Sequence, residues 1–419
     1  MTSPADINRG LALRAYLLAS HAIALVDRPV LRRRLARGKE HPTRWVEKRG
    51  LSLAPRPDGP LVWLHAVGLG EVLSLRGLII RMGALRPDLS FLVTSTTAAS
   101  AAAFARQIPS RTVHQFLPLD APAYRKRFLD HFKPDLCVWA EQDLWPGLVS
   151  DMAAMGIPQV MVAARMNAAS FRSHCRAKGL YRDLYRTMQL VTAQDADTQN
   201  HLNALGADAV VTGSLKPAAP ALTHDATELA HVQNHLADRF VWAVAPAHPE
   251  DATIAMDAHA ELRKSDPTAL LIVAPRFLDA FADLIAPRRS QNELPDPSDA
   301  VWLFDTLGDL GLVYRVSRAV LIGGTFSAME GHNPWEAAAL GTAVLHGPRV
   351  ANFKTDFAQL DAAQAAVPVS DAQSLTDALR NAPLTELSGR ATDCIAVASQ
   401  RTDALAADLA ALLRSHDVT

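Results

Sequence analysis

Short apolar runs that alternate with amphipathic segments occur in two series along the chain, and this alternation most constrains its fold. The first series has six runs, at 61–67, 90–96, 136–141, 159–164, 189–194 and 209–214. The second has five runs, at 240–246, 269–275, 300–304, 319–325 and 342–347. Short buried runs separated by helices are typical of parallel strands joined by crossover helices. The pattern predicts an α/β chain with two doubly wound, Rossmann-like domains that face each other across a cleft.

The domain boundaries follow from this alternation and from the length of 419 residues, which is too long for a single core. We expect a helix and a basic segment over 1–50 and a first domain over 51–215. A second domain follows over 216–419, and its Ala-rich tail at 396–415 is predicted to be helical. The hinge is expected near 214–222, where the two series meet.

Charge and cysteine content exclude several classes of protein. The formal net charge is −1, which argues against a general nucleic-acid-binding protein. The three cysteines, Cys137, Cys175 and Cys394, are scattered and odd in number, so they do not form a disulfide framework or a structural zinc site. No metal-ligand cluster or Walker A loop is present, and we predict neither a metal nor a cofactor.

The N-terminal region combines an apolar stretch with a basic one. Residues 11–26 are mostly apolar but number only 16 and include Arg14 and His21, whereas a bilayer span needs roughly 20 apolar residues. Between Arg28 and Arg49, nine Arg and Lys residues stand against two Glu residues. This pairing favours a helix that lies on an anionic membrane surface. The alternative is a buried helix followed by a solvated basic segment.

Acidic residues follow two of the strands predicted in the first domain. Glu71 comes after the strand that ends at His65, where a helix begins, and its carboxylate is able to accept a hydroxyl proton. The structural alternative is that Glu71 only complements the helix dipole. Glu141 and Asp143 follow the strand at 136–141 and could position an acceptor, or they could belong to a helix start with Pro146 in its first turn.

A Gly-rich string in the second domain predicts an anion site. Gly323 and Gly324 end a strand, and the sequence EGHNPWE follows, with His332, Asn333 and Glu336. Free N–H groups at a helix N-terminus favour phosphate, and the glycines let it approach. The spacing also predicts a structural capping box, with Asn333 as N-cap, Pro334 at the first helical position and Glu336 three residues after the cap.

Further polar residues lie where strands of the second half end. Arg276 could bind a phosphate or a carboxylate, and the loop that contains Gly308 offers backbone groups to a nucleotide. Lys216 places a cation at the hinge, and His248 follows the first strand of the second half. A lone histidine is more often a packed core residue than a ligand.

These motifs together resemble the 3-deoxy-D-manno-octulosonic acid (Kdo) transferases of lipopolysaccharide synthesis, over nearly the whole chain. The matching stretches include HAVGLGEV, AEQDLWPGL, GSLK, PAHPED, VAPR, DTLGDLG and the region from GGT to HNPWE. Members of this family are glycosyltransferases of the GT-B fold. The resemblance implies an inverting transfer of Kdo from CMP-Kdo to a lipid A precursor, at the cytoplasmic face of the inner membrane.

The resemblance also implies roles for individual residues. Glu71 matches the catalytic base, and Glu141 and Asp143 match an acidic pair near the acceptor. The positions that match the surroundings of CMP-Kdo are Lys216, His248, Arg276, Gly308, Gly323, Gly324, His332, Asn333 and Glu336. Glu336 is suited to the ribose hydroxyls. Two other functions stay open: a GT-B enzyme with another nucleotide sugar, such as an epimerase, and a paralogue that binds nucleotide or lipid without catalysis.

Overall fold

The structure, a computed structural model, describes residues 9–142 and 144–414 and consists of two compact units. The first unit comprises Met1–Ala219 and Ala398–Thr419, and the second comprises Pro220–Val397. We expected the C-terminal helix to belong wholly to the second domain. Instead, the residues from Ala398 onward belong to the first unit, because Leu405, Leu409 and Leu413 pack into the core of that unit.

The first unit contains a seven-stranded parallel sheet with the strand order β3-β2-β1-β4-β5-β6-β7. The strands are β1 Leu61–His65, β2 Ser90–Ser95, β3 Thr112–Phe116, β4 Leu136–Ala140, β5 Gln159–Ala164, β6 Met188–Ala193 and β7 Ala209–Val211. The helices are α1 Leu11–Ala19, α2 Ile23–Ala36, α3 Leu69–Leu85, α4 Ala98–Ala105, α5 Pro122–Phe132, α6 Pro146–Ala154, α7 Ala168–Cys175, α8 Lys178–Tyr185 and α9 Ala196–Ala204.

The second unit contains a six-stranded parallel sheet with the order β10-β9-β8-β11-β12-β13. The strands are β8 Val241–Ala247, β9 Leu270–Pro275, β10 Val301–Leu303, β11 Ala319–Ile322, β12 Ala343–His346 and β13 Ala366–Pro368. The helices are α10 Ala226–Leu236, α11 Pro249–Leu262, α12 Leu310–Val316, α13 Trp335–Ala338, α14 Lys354–Ala362, α15 Ala372–Asn381 and α16 Leu384–Arg414. The last of these continues into the first unit.

Each sheet is buried on both faces, as the continuous apolar runs predicted. Alternate residues of a strand point to opposite faces, so Trp63 packs in one core cluster while its neighbours Val62 and Leu64 pack in another. In the second sheet, Ala243 and Val244 are divided between two clusters in the same way. The two doubly wound parallel sheets confirm the predicted α/β class.

The eleven predicted strands are confirmed, and two further strands, β3 and β13, were not predicted. Both lie at a sheet edge. Strand β3 contains His114 and Gln115 among its five residues, and β13 has only three residues. The polar residues of β3 interrupt its apolar pattern, and β13 is short and ends in a proline, which is typical of an edge strand.

The predicted N-terminal helix is divided into α1 and α2 by a short 3₁₀ turn at Ser20–Ala22. One face is part of the first unit, because Leu13 is buried and Tyr16 donates a hydrogen bond to Asp120 Oδ2 at 2.7 Å. The rest is exposed and includes an apolar stripe of Leu11, Leu18, Leu25, Val26 and Val30. Among the described residues, no helix is sufficiently long and apolar to cross a bilayer.

Ion pairs divide the basic segment into two groups. Arg34 and Lys48 contact Glu40, Arg44 contacts Glu47, and Arg49 contacts Asp27. Lys48, Glu40 and Asp27 are buried, so this part of the segment is integral to the fold. The five remaining cations are exposed on the surface: Arg28, Arg32, Arg33, Arg37 and Lys39.

Candidate functional site

Glu71 lies in the first turn of α3, immediately after the loop that follows β1. Its Oε2 accepts hydrogen bonds from the backbone N–H groups of Val67 at 3.1 Å and Gly68 at 3.2 Å. The side chain is half-buried. The loop thus orients the carboxylate, and Oε1 accepts no hydrogen bond from residues 9–142 or 144–414. The contact to Gly68 is also half of a capping box, and Glu71 lies in the first helical turn, as predicted.

Glu141 follows β4, the strand that pairs with β1. Its backbone has a φ of 61°, in the left-handed region that residues with a Cβ rarely adopt. Two backbone hydrogen bonds hold this conformation, from Glu141 N to Val162 O and from Arg165 N to Glu141 O. Such strain persists only where the surrounding structure imposes it, and it is frequent at functional sites.

Lys216 lies in the first unit and forms a buried ion pair with Glu141. Its Nζ is 2.8 Å from Glu141 Oε1, and the two side chains are 7% and 3% exposed. The short 3₁₀ turn Lys216–Ala218 packs against α3, the helix that contains Glu71. The resemblance assigns Lys216 to the donor site, and the structure shows that its ammonium group contacts Glu141 of the first unit.

The charged and N–H groups around Glu71 change its pKa. Burial, followed by the nearby Glu141 carboxylate, raises the pKa of Glu71. The N–H groups of Gly68 and Val67 and the Lys216 ammonium oppose this increase. Glu71, Glu141 and Lys216 therefore form one electrostatic cluster, hereafter the carboxylate cluster. Asp143, the other predicted acidic residue, lies outside the described residues.

In the second unit, the Gly-rich string packs tightly against the end of β8. A Cβ at Gly323 would lie 1.7 Å from Pro246 O, and Gly324 has a φ of 76°. The buried Asp251 carboxylate accepts hydrogen bonds from the backbone N–H groups of His248, Gly324 and Phe326. Asp251 was not among the predicted residues, although its position three residues after the helix cap in PAHPED is that of a capping box.

His248 and His332 lie side by side at this edge of the second sheet. Their rings are stacked, with centroids 5.2 Å apart and Nε2 atoms 2.9 Å apart. Burial, followed by His248 and Arg276, lowers the pKa of His332 to about 4. His332 is therefore neutral at neutral pH, and one ring can donate to the other. Phe277, which follows Arg276, contacts the edge of His248.

Asn333 and Glu336 also lie in this unit, but the helix begins later than predicted. Helix α13 has four residues, starts at Trp335 and has Pro334 at its N-cap position. Asn333 Oδ1 accepts a hydrogen bond from Trp335 N at 3.1 Å, and its amide is 3.4 Å from Glu336 Oε1. Burial raises the pKa of Glu336, and the contact with Asn333 opposes this. A helix this short contributes little dipole, so any anion here would depend on individual side chains and N–H groups.

Gly308, the remaining predicted residue, lies in the loop between β10 and α12. Its φ is 102°, which favours glycine. Thr306 Oγ1 donates to Asp309 Oδ2 at 2.7 Å and closes this loop. Over residues 9–142 and 144–414, no group of three or more His, Cys, Asp or Glu side chains is placed to hold a metal ion.

Comparison with known proteins places the chain in a family. A family model described as 3-deoxy-D-manno-octulosonic-acid transferase (kdotransferase) matches residues 43–219. The 3-deoxy-D-manno-octulosonic acid transferase of Rickettsia bellii is 30% identical over 378 residues, which cover 88% of this chain and 90% of the relative. That of Bordetella pertussis is 33% identical over 346 residues, or 77% of this chain and 79% of the relative.

A solved structure of a UDP-glucosyltransferase from Polygonum tinctorium has the same fold. It is 11% identical, with a TM-score of 0.56, over 85% of this chain and 99% of that chain. This likeness supports the GT-B fold that the family resemblance implied. The chain belongs to the 3-deoxy-D-manno-octulosonic acid transferases, and its reaction is the transfer of Kdo in lipopolysaccharide biosynthesis.

Proposed function

We propose that the protein transfers Kdo from CMP-Kdo to a hydroxyl group of a lipid A precursor, with inversion at the anomeric carbon, and that Glu71 is the catalytic base. The observation that carries this proposal is the Glu71 carboxylate, which is oriented by two N–H groups at the end of β1 and lies near a second carboxylate. A base for a sugar hydroxyl needs one carboxylate oxygen within hydrogen-bond reach of the proton.

The environment of Glu71 supports this role. A general base works best when its pKa approaches the operating pH, and burial and Glu141 move the pKa of Glu71 in that direction. The Lys216 ammonium limits this increase in the pKa, so that a part of the Glu71 carboxyl groups stays ionised. As the hydroxyl oxygen attacks the anomeric carbon, its proton passes to Glu71, and the bond to the CMP phosphate breaks on the opposite face.

The second unit would hold the donor. The leaving group is a nucleoside monophosphate, which carries less charge than a diphosphate, so we propose that cationic side chains and N–H groups stabilise it without a metal ion. The residues that support this are Arg276 and the His248–His332 pair. The N–H groups of Gly323 and Gly324, which were expected to face an anion, instead donate to Ala245 O and to Asp251. Asn333 and the Glu336 carboxylate provide groups for the ribose hydroxyls.

The N-terminal helices would place the enzyme on the cytoplasmic face of the inner membrane. The apolar stripe and the five exposed cations combine the two interactions that hold peripheral helices on anionic bilayers.

Vesicle sedimentation tests this proposal. Leu18→Ser and Leu25→Ser together should reduce binding to anionic vesicles, whereas Val397→Ser, an exposed apolar residue of α16, should not. Equal binding of the unmodified protein, the double variant and Val397→Ser would contradict a membrane role for the apolar stripe.

Product analysis tests the reaction. The purified enzyme is incubated with a lipid A precursor and CMP-Kdo, and the product mass is measured. We expect the acceptor mass to increase by one or more Kdo residues, and CMP-sialic acid or UDP-sugars should yield no product. Transfer from a UDP-sugar alone would support the alternative of a GT-B enzyme with another donor. Donor binding without any product would support a non-catalytic paralogue.

A further inference from the structure

Tyr314 lies in α12, and its hydroxyl is buried in the core of the second unit. The residue is 1% exposed and belongs to the same core cluster as Trp335 and Ala337 of α13. Over residues 9–142 and 144–414, the hydroxyl has no hydrogen-bond partner. A buried tyrosine hydroxyl normally has one, because burial without a partner costs free energy. The hydroxyl of Tyr314 therefore requires an explanation.

The backbone around Tyr314 is held in place by two hydrogen bonds. Thr342 Oγ1, in the loop between α13 and β12, donates to Tyr314 O at 2.6 Å. The next residue along the helix, Arg315, donates through its guanidinium to Leu222 O at 2.9 Å. Because the helix and the α13 loop are tied together, the ring has little freedom to turn toward another partner. A partner for the hydroxyl must instead come to it.

The charged group that acts on this hydroxyl is the carboxylate of Glu336, in the first turn of α13. Burial, followed by the Glu336 carboxylate, raises the pKa of Tyr314 well above its ordinary value. The carboxylate is thus close to the hydroxyl, yet no hydrogen bond joins the two groups. An unpartnered donor and an acceptor face the same part of the core.

Glu336 has unused capacity to accept hydrogen bonds. Its contact with the described residues is one long hydrogen bond, from Asn333 Nδ2 to Oε1 at 3.4 Å, and Oε2 accepts none from them. An ionised carboxylate can accept about four. Glu336 is partly exposed, whereas Tyr314 is buried. A ligand hydroxyl can therefore approach the carboxylate from the surface, and Tyr314 can approach it from the core.

We infer that Tyr314 is a positioning residue for the nucleotide: its hydroxyl donates to the Glu336 carboxylate when that carboxylate accepts the hydroxyl groups of a ribose. The inference rests on the proposed function for the ribose of the donor. With the ribose bound, the tyrosine, the carboxylate and the sugar hydroxyls all have partners. A nucleotide without these hydroxyls leaves buried polar groups unpaired, so the arrangement selects a ribonucleotide.

Calorimetric titration with CMP and with 2′,3′-dideoxy-CMP tests this inference. Tyr314→Phe should weaken CMP binding about 10-fold, as expected for the loss of one hydrogen bond to a charged group. It should not change the weaker binding of the dideoxy nucleotide. The matched control is Tyr185→Phe, the same change at a buried tyrosine of the first unit, which should leave both affinities unchanged. Unchanged CMP affinity, or an equal loss for both nucleotides, would overturn the inference.

A double-variant cycle tests whether Tyr314 acts through the carboxylate. Glu336→Ala removes the acceptor, so Tyr314→Phe should cause no further loss of CMP affinity in that background. The same 10-fold loss in both backgrounds would show that Tyr314 acts on the nucleotide without Glu336, and the inference would be wrong.

Thermal unfolding without nucleotide separates positioning from a structural role. Since the hydroxyl of Tyr314 has no partner in the described part of the chain, Tyr314→Phe should unfold at the same temperature as the unmodified protein or at a higher one. A lower unfolding temperature would show that the hydroxyl already has a partner and would overturn the inference. If the unmodified protein binds UMP but not CMP, the proposed donor fails. The comparison of UMP with its dideoxy form then decides the role of Tyr314, because both ribonucleotides contain the same sugar.

Discussion

In each unit, the helix that follows the first strand of the sheet has a carboxylate at its third position. Glu71 occupies this position in α3 and Asp251 in α11. Asp251 accepts three backbone hydrogen bonds, two of them from the loop after β11, and is fully buried. Glu71 accepts two from its own loop and is half-buried. The same local position thus supplies a structural acid in one unit and an accessible acid in the other.

The loop after the neighbouring strand explains the difference. Strand β11 is followed by Gly323 and Gly324, and the backbone N–H of Gly324 donates to Asp251. Strand β4, in the corresponding place beside β1, is followed by Glu141, whose carboxylate raises the pKa of Glu71. Amide groups opposite a carboxylate hold it in the fold, whereas a second carboxylate makes it a better base.

The close approach of Gly323 to Pro246 in the second unit predicts the largest change in stability. Gly323→Ala would place a Cβ 1.7 Å from Pro246 O, so the turn could not keep its conformation. We expect a loss of at least about 4 kcal/mol in unfolding free energy, or failure to fold. The control is Gly389→Ala in α16, where a Cβ meets nothing within 4 Å. That change should stabilise the helix by about 0.5–1 kcal/mol. If calorimetry gives equal melting temperatures for Gly323→Ala and Gly389→Ala, the close packing of Gly323 against Pro246 does not limit stability.

Disruption of the buried Glu141–Lys216 ion pair should cause the next largest loss of stability. Either Glu141→Gln or Lys216→Met leaves one buried group without its partner, which costs about 3 kcal/mol or somewhat more. The double variant removes both charges and should lose less than the sum of the single variants. Thermal unfolding of the four proteins gives the interaction energy. Additive losses would show that the two side chains do not stabilise each other.

A smaller effect is expected on the pH dependence of catalysis. Its direction should differ between Glu141→Gln and Lys216→Met. The acidic limb of the kcat/KM profile should follow the ionisation of Glu71, above the ordinary glutamate pKa of about 4.3. Loss of the Glu141 charge should move this limb to lower pH, and loss of the Lys216 charge should move it to higher pH, each by up to about 1 unit. Shifts in the same direction would refute the electrostatic cluster.

Local sequence pattern predicted the central strands and the position of Glu71, because both depend on nearby residues. The edge strand β3 was missed because His114 and Gln115 interrupt its apolar pattern. The start of α13 was predicted one residue too early, since Asn333 caps the segment through Trp335 N without joining the helix. Edge strands and helix ends depend on tertiary contacts that a single sequence does not contain.

The partners within the site could not be predicted from the sequence. Lys216 and Glu141 are 75 positions apart, and His248 and His332 are 84 apart. Spacing within a motif gives no information on such pairs. The structure shows that Lys216, which was predicted to lie near CMP-Kdo, pairs with Glu141, and that Asp251 holds the glycine turn.

The most direct test of the account is Kdo transfer by Glu71→Gln, measured by product mass together with CMP-Kdo binding by calorimetry. An amide oxygen can still accept the loop N–H groups, so the fold should persist. We predict a rate loss of about 100- to 10,000-fold with unchanged CMP-Kdo affinity. The control Glu386→Gln, an exposed first-turn acid of α16, should transfer normally. Turnover by Glu71→Gln equal to that of the unmodified enzyme would contradict the assignment of Glu71 as the base.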